Sequence, residues 1–195
     1  MLTLCVDTSY KYLSCALIKD NQILASHDEI CFKKQSERLF VVLHEMLKET
    51  NKLLLDIDSV CITNGPGSYT GVRIAMTMAK TIASIRKLRL FTISTLQLYA
   101  ANRPNTMVLM DARAGRAYYG IYNKGAVIQA DSVTSIANIH TDGYTLVGDA
   151  SLCGGVDNMP SVSEAFLLCQ KNWEEVADID HLVPRYLKES DDYMR

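Results

Sequence analysis

The chain has 195 residues, 48% of them apolar and 22% charged, with a formal net charge of -2. That suits a globular chain of one domain, or two small ones sharing a core, and it lacks the basic surplus of an autonomous nucleic-acid binder. No apolar run reaches the roughly eighteen residues of a bilayer span, and the opening MLTLCVDTSYK shows no basic leader, so a cytoplasmic protein with no membrane partner is expected.

LTLCVDT, KYLSCALIKD and QILASHDEICF read as three strands, the last two joined at Asp20-Asn21, an antiparallel meander ahead of any helix. SERLFVVLHEMLKET then reads as a helix with Ser36 as its cap and Lys48 in its last turn. Leu39, Phe40, Leu43, Met46 and Leu47 make one apolar stripe along it, and Val41 and Val42 lie off that stripe. LLLDIDS leads to a fourth strand, VCIT, and after a glycine loop a second helix runs from Gly71 to Arg86. Its polar stripe is Arg73, Thr77, Lys80, Thr81 and Ser84. Val72, Ala75, Met76, Ala79 and Ala83 cover one side of it, and Ile74, Met78, Ile82 and Ile85 the other. A helix apolar around more than half its circumference needs two partners, one being its own sheet.

LFTIS is a further strand and TLQLYAAN a short helix. TMVLMDARAGRAYYGIYNKGAVIQA reads as three strands, SVTSIANI as a short helix, YTLVGD as a strand, SVSEAFLLCQKNW as a helix and HLVPRYLKES as a closing extended piece. The strands-then-helix pattern restarts near residue 105, and Pro104 breaks the chain in AANRPNT, which divides it into halves 1–103 and 104–195. Cys5, Cys15, Cys31, Cys61, Cys153 and Cys169 form no CxxC pair and are read as small buried hydrophobes. His27, His44, His140 and His181 share no helix face at i, i+4, so no metal is expected.

The loop NGPGSYTGVR, residues 64–73, stands where a phosphate-binding turn would stand. A Walker loop needs lysine where Val72 lies, and its glycine spacing differs from that of Gly65 and Gly71. A dinucleotide fingerprint follows the first strand, whereas Gly65, Gly67 and Gly71 follow the fourth, and LFTISTLQL brings no carboxylate. What remains is a tight strand-to-helix connection built by Gly65, Pro66, Gly67, Ser68, Thr70 and Gly71, with the generic anion attraction of any helix N-terminus. Ser68 lacks the G-x-S-x-G elbow of a nucleophile. Asp7 is expected to cap the turn after the first strand. Asp111 and Arg113 in MDARAGR either meet a ligand in a cleft between the halves, together with Asp7, or simply close their own turn.

VDTS at 6–9, GPGSYTGVR at 65–73, STL at 94–96, MDARAGRAYYGIY at 110–122 and PRYL at 184–187 follow the order of the TsaB family, also called YeaZ, which the chain resembles over nearly its whole length. The chain is somewhat short for that family, and the loss lies in its second half. The resemblance implies an α/β protein of the actin/Hsp70/sugar-kinase-like (ASKHA) fold, two similar subdomains with mixed sheets. It implies a non-catalytic scaffold in tRNA threonylcarbamoyladenosine synthesis, with no cofactor of its own. Such a scaffold heterodimerises with the transferase TsaD, supports binding of TsaE, meets tRNA mainly through TsaD, and forms homodimers in isolation. The family's shared contact surface is a helical bundle of the first two helices. With helical spacing it places Ser36, Leu39, Phe40, Leu43, Met46, Val72, Arg73, Met76, Ala79 and Lys80 at or near that bundle. TsaD-like chemistry needs an H-x-x-x-H pair on the first helix, and KKQSERLF has none. The alternatives are a phosphotransferase-like enzyme of the same fold, with Asp111 as its base, and a homodimeric regulator with a ligand in the cleft.

Overall fold

The computed structural model describes residues 1–31 and 33–188; Phe32, at the end of the third expected strand, and Glu189 onward, in the closing piece, lie outside them. The first sheet contains β1 (Leu2–Asp7), β2 (Tyr12–Lys19), β3 (Gln22–Ile30), β4 (Ser59–Thr63) and β5 (Arg89–Ile93). The second contains β6 (Thr106–Asp111), β7 (Arg116–Asn123), β8 (Ala126–Ser135) and β9 (Thr145–Gly148). The helices are α1 (Gln35–Glu49), α2 (Tyr69–Arg86), α3 (Thr95–Ala100) and α4 (Val162–Leu168), and β10 (Glu174–Glu175) joins the edge of the first sheet.

The first sheet is ordered β10-β5-β4-β1-β2-β3, with β2 antiparallel to both neighbours and β1, β4 and β5 parallel. The second is ordered β8-β7-β6-β9, with β7 antiparallel to both neighbours and β6 parallel to β9. The second therefore repeats β3-β2-β1-β4 of the first. This is the ASKHA-like α/β arrangement, two related mixed sheets.

Local chemistry accounts for the start. Asp20 and Asn21 both adopt positive φ, +50° and +62°, which turns the chain so that Lys19 pairs with Gln22. Strand β1 is buried on both faces, so it reads as an unbroken apolar run. Its Leu4 and Val6 join a core with Leu13, Cys15 and Leu17 of β2 and the inner faces of α1 and α2. Cys5, Ala16, Ile18 and Cys61 face the other way, into a core made by α3, α4 and the second sheet.

Three local expectations are corrected, and one short strand was not expected. SVTSIANI is not a helix: β8 continues to Ser135, because Val133 and Thr134 pair with Tyr118 and Ala117, and only Ile136–Asn138 makes a 3-10 turn. The helix after residue 161 is short and gives way to a 3-10 turn at Gln170–Asn172; Asp28 of β3 accepts hydrogen bonds at its start from the Ser163 amide at 3.0 Å and the Ser163 hydroxyl at 2.7 Å. Ser36 does not cap α1, which begins at Gln35 with Lys34 in the cap position. Strand β10 has only two residues, too few for a sequence signal, and Arg89 pins it through a bidentate pair with Glu175 at 2.7 Å.

The two halves differ in one connection. In the first half α1 connects β3 to β4; in the second, residues 136–144 connect β8 to β9 with no α-helix. On the outer face of the second sheet, Met107, Leu109 and Ile121 pack with Tyr119 and Leu146 of the same sheet and with Ile139 and Cys153 from its connections.

Candidate functional site

The glycine loop is filled by the chain itself. A Cβ on Gly67 would lie 2.3 Å from the Ser9 carbonyl oxygen, and one on Gly71 2.3 Å from that of Thr8. The Ser68 amide donates to Ser9 O at 2.7 Å, and the Thr8 hydroxyl donates to Gly71 O at 2.6 Å while accepting from the Ala75 amide at 3.1 Å. Gly65, at φ +103° and followed by the cis peptide to Pro66, meets the Arg185 carbonyl, and Arg185 N donates to Asn64 O at 2.7 Å. Ser68 caps α2, its hydroxyl accepting from the Gly71 amide at 3.2 Å, and Thr70 is exposed beside it. Backbone therefore approaches these glycines where a phosphate would in a nucleotide loop.

Three buried carboxylates organise the neighbourhood. Asp7 is fully buried: Oδ1 accepts from the Ser9 amide at 2.8 Å and the Thr63 hydroxyl at 2.6 Å, and Oδ2 from the Tyr99 hydroxyl at 3.0 Å. Asp149, just after β9, accepts from the Tyr10 hydroxyl, from Lys11 Nζ at 2.6 Å and from the Asp111 amide at 2.8 Å. Burial, reinforced by the Asp149 carboxylate, pushes the Tyr10 phenol well above its ordinary value. Asp131 on β8 accepts from the Tyr122 hydroxyl, from Ser94 Oγ at 2.5 Å and from Arg185 at 3.2 Å. Thus STL and PRYL, far apart in sequence, meet on one carboxylate. Asp111 is half-buried and closes its own turn, accepting from the Arg113 amide at 2.7 Å and pairing with the Arg113 guanidinium at 3.2 Å. Asp7 and Asp111 are thus held by separate internal partners, and Arg113 is exposed. Neither Asp149 nor Asp131 was singled out from sequence; Asp149 had one available signal, a carboxylate ending a strand like Asp7 and Asp111.

The largest concavity among those described is an open groove of about 580 Å³ between α1 and α2. Leu39 forms part of its floor, Phe40 and Tyr69 stand at its rim, and Ile74, Met78 and Ile82 of α2 line it. Phe40 is 61% exposed, and Ile85 of α2, one turn beyond Ile82, 74%. Of the ten positions expected at the bundle, Leu39, Leu43, Met46, Val72, Met76 and Ala79 belong to the chain's own core. Ser36, Phe40 and Arg73 are exposed, and Lys80 is half-buried. Arg73 and Lys80 hold the C-terminal segment across α2. Arg73 Nε donates to the Tyr186 hydroxyl at 2.6 Å, and Lys80 Nζ to the carbonyls of Asp180 at 2.9 Å and Leu182 at 3.0 Å. Among the described residues no three His, Cys, Asp or Glu side chains are placed to share a metal ion, and no helix is long and apolar enough to cross a membrane.

The fold and this neighbourhood define a two-sheet ASKHA-like protein whose glycine turn is packed by its own backbone. A family model described as TsaD, tRNA N6-adenosine threonylcarbamoyltransferase, matches residues 22–163. The chain is 33% identical over 126 residues to the tRNA threonylcarbamoyladenosine biosynthesis protein TsaB of Bacillus subtilis, covering 63% of this chain and 55% of that protein. It is 35% identical over 130 residues to the Escherichia coli protein of the same name, covering 64% and 56%. The match thus spans little more than half the length of these two relatives. YeaZ from Pseudomonas aeruginosa has the same fold, with a TM-score of 0.79 at 24% identity over 95% of this chain and 99% of that one. So does an uncharacterized protein with similarity to peptidase YEAZ from Pseudomonas aeruginosa, with a TM-score of 0.83 at 21% identity, covering 96% and 99%. The chain belongs to the TsaB/YeaZ family, within the wider group that the TsaD model describes.

Proposed function

We propose that this chain is a non-catalytic scaffold in the synthesis of N6-threonylcarbamoyladenosine in tRNA. It pairs with TsaD through the α1/α2 groove, supports TsaE through that pair, and leaves most tRNA contact to TsaD. In isolation the same groove serves a homodimer. The two subdomains divide at residue 103, and the groove belongs to the first.

The observation that carries this reading is the groove itself. It exposes large apolar side chains on two helices whose opposite faces already fill the core. An apolar surface of that kind marks a protein contact. The glycine turn supports the same reading against a phosphotransferase, because Thr8 and Ser9 occupy the space that phosphate oxygens would need.

The test is light scattering coupled to size-exclusion chromatography of the chain mixed with TsaD from the same organism, beside Phe40→Asp. A one-to-one complex is expected for the parent chain and its loss for the variant, since a buried unpaired carboxylate costs several kcal/mol, about a thousandfold or more in affinity. A Phe40→Asp chain that binds TsaD as well as the parent refutes the groove as the contact.

A further inference from the structure

The C-terminal segment crosses α2 and brings Tyr186 against Arg73 in the groove wall, where it prepares one side chain. Arg73 lies over the Tyr69 ring, with its guanidinium carbon 4.0 Å from the centroid, and its Nε donates to Tyr186 at 2.6 Å. Tyr69 and Tyr186 stack on each other, with centroids 5.3 Å apart and planes inclined by 18°. The guanidinium is therefore held on one edge and one face. Among the described residues neither Nη atom has a hydrogen-bond partner, and no carboxylate lies within salt-bridge distance of Arg73. Tyr69, Arg73 and the apolar lining belong to one groove wall.

A guanidinium fixed in this way has already lost much of the rotamer freedom that pairing normally costs, and its open edge matches a carboxylate. It is also a lone cation beside an otherwise apolar and neutral lining of Thr70, Thr77, Thr81, Ile74, Met78 and Ile82. We infer that the groove takes an amphipathic partner helix bearing an Asp or Glu that pairs with Arg73, and that Tyr186 is a positioning residue holding Arg73 ready for it. This rests on the groove-docking reading above and adds to it the charge on the partner and a role for the C-terminal segment.

The experiment is calorimetric titration of the full chain with TsaD from the same organism, at low and high salt, for the parent, Arg73→Gln, Tyr186→Phe and Phe40→Asp. Thermal midpoints are recorded for each. Loss of a charge-assisted contact predicts a Kd about tenfold weaker for Arg73→Gln and about threefold weaker for Tyr186→Phe. Arg73→Gln is also expected to flatten the salt dependence of Kd, which a merely structural loss would leave unchanged. Should Arg73→Gln lower the midpoint strongly, Arg73→Lys carries the comparison: it keeps the salt dependence and loses the bidentate fork. If Phe40→Asp abolishes binding while Arg73→Gln and Tyr186→Phe match the parent in Kd and salt dependence, this inference is overturned and the docking reading stands. If Phe40→Asp also binds like the parent, both fall.

Discussion

Gly71→Ala tests why the loop is glycine-rich. Gly71 lies in the first turn of α2 at an ordinary negative φ, so alanine carries no backbone penalty there and gains about 1 kcal/mol of helix propensity. Against this, its methyl group would sit 2.3 Å from the Thr8 carbonyl oxygen, about 1 Å inside ordinary contact. Relief requires α2 to move off the turn after β1. That motion lengthens the bonds that Thr8 Oγ1 makes to Gly71 O at 2.6 Å and to the Ala75 amide at 3.1 Å. Overpacking costs about 1–3 kcal/mol and each weakened bond about 1 kcal/mol, so the net loss is about 2–4 kcal/mol. For a chain of this size that lowers the melting temperature by about 10 °C. Urea unfolding followed by circular dichroism measures it, with Gly154→Ala as the contrast. Gly154 has φ +80° and open space around its Cβ position, so only left-handed strain of about 1–2 kcal/mol is at stake. A Gly71→Ala midpoint equal to the parent's would refute the close approach and return the loop to ligand-binding readings.

Two further outcomes follow from charged groups. Asp149→Asn replaces the acceptor shared by Tyr10, Lys11 and the Asp111 amide, and a loss of about 2–3 kcal/mol is expected in the same urea assay; a loss below about 0.5 kcal/mol contradicts the clamp. The Arg38 guanidinium, bonded to Glu29 at 3.0 and 3.1 Å, holds the Glu29 carboxyl down to about 2. Its folded value is lowered, so the unfolded chain takes up the proton first. The contribution is whole above about pH 4.5 and is lost as pH falls toward 2. Acid titration of the parent against Glu29→Gln, by thermal midpoint, should show a shallower acid slope for the variant.

Much of the frame was legible because it rests on local signals. Asp20-Asn21 announced the hairpin, and the apolar Leu4, Cys5 and Val6 announced the first strand. Glycine spacing spoke against the standard nucleotide loops, but it could not say that Thr8, Ser9 and Arg185 approach these glycines. Those contacts join residues 58 to 120 positions apart and leave no periodic trace. Apolar periodicity on α1 and α2 carries a physical bias. Helical periodicity finds the face the sheet buries, so Leu43, Met46, Val72, Met76 and Ala79 emerged, while the groove-facing Ile74, Met78 and Ile82 lay on the second face. Val133 and Thr134 read as helix because their strand partners Tyr118 and Ala117 were invisible to a local window.

The three carboxylates bear on the scaffold role proposed above. Asp7 ties β1 to β4 and α3; Asp149 ties the turn after β1 to β6; Asp131 ties β8 to the start of α3 and to the C-terminal segment. Each joins elements from distant parts of the sequence, and two of them join the first sheet's side to the second's. Buried ion pairs and charged hydrogen bonds add little net stability over an apolar filling, but separating the partners leaves an uncompensated charge and costs several kcal/mol. Opening the space between the sheets would break the Asp149 set at once. A molecule so tied does not need to open and close around a substrate. It can instead hold α1, α2 and Arg73 in one fixed relation, which is what a docking partner requires of its surface.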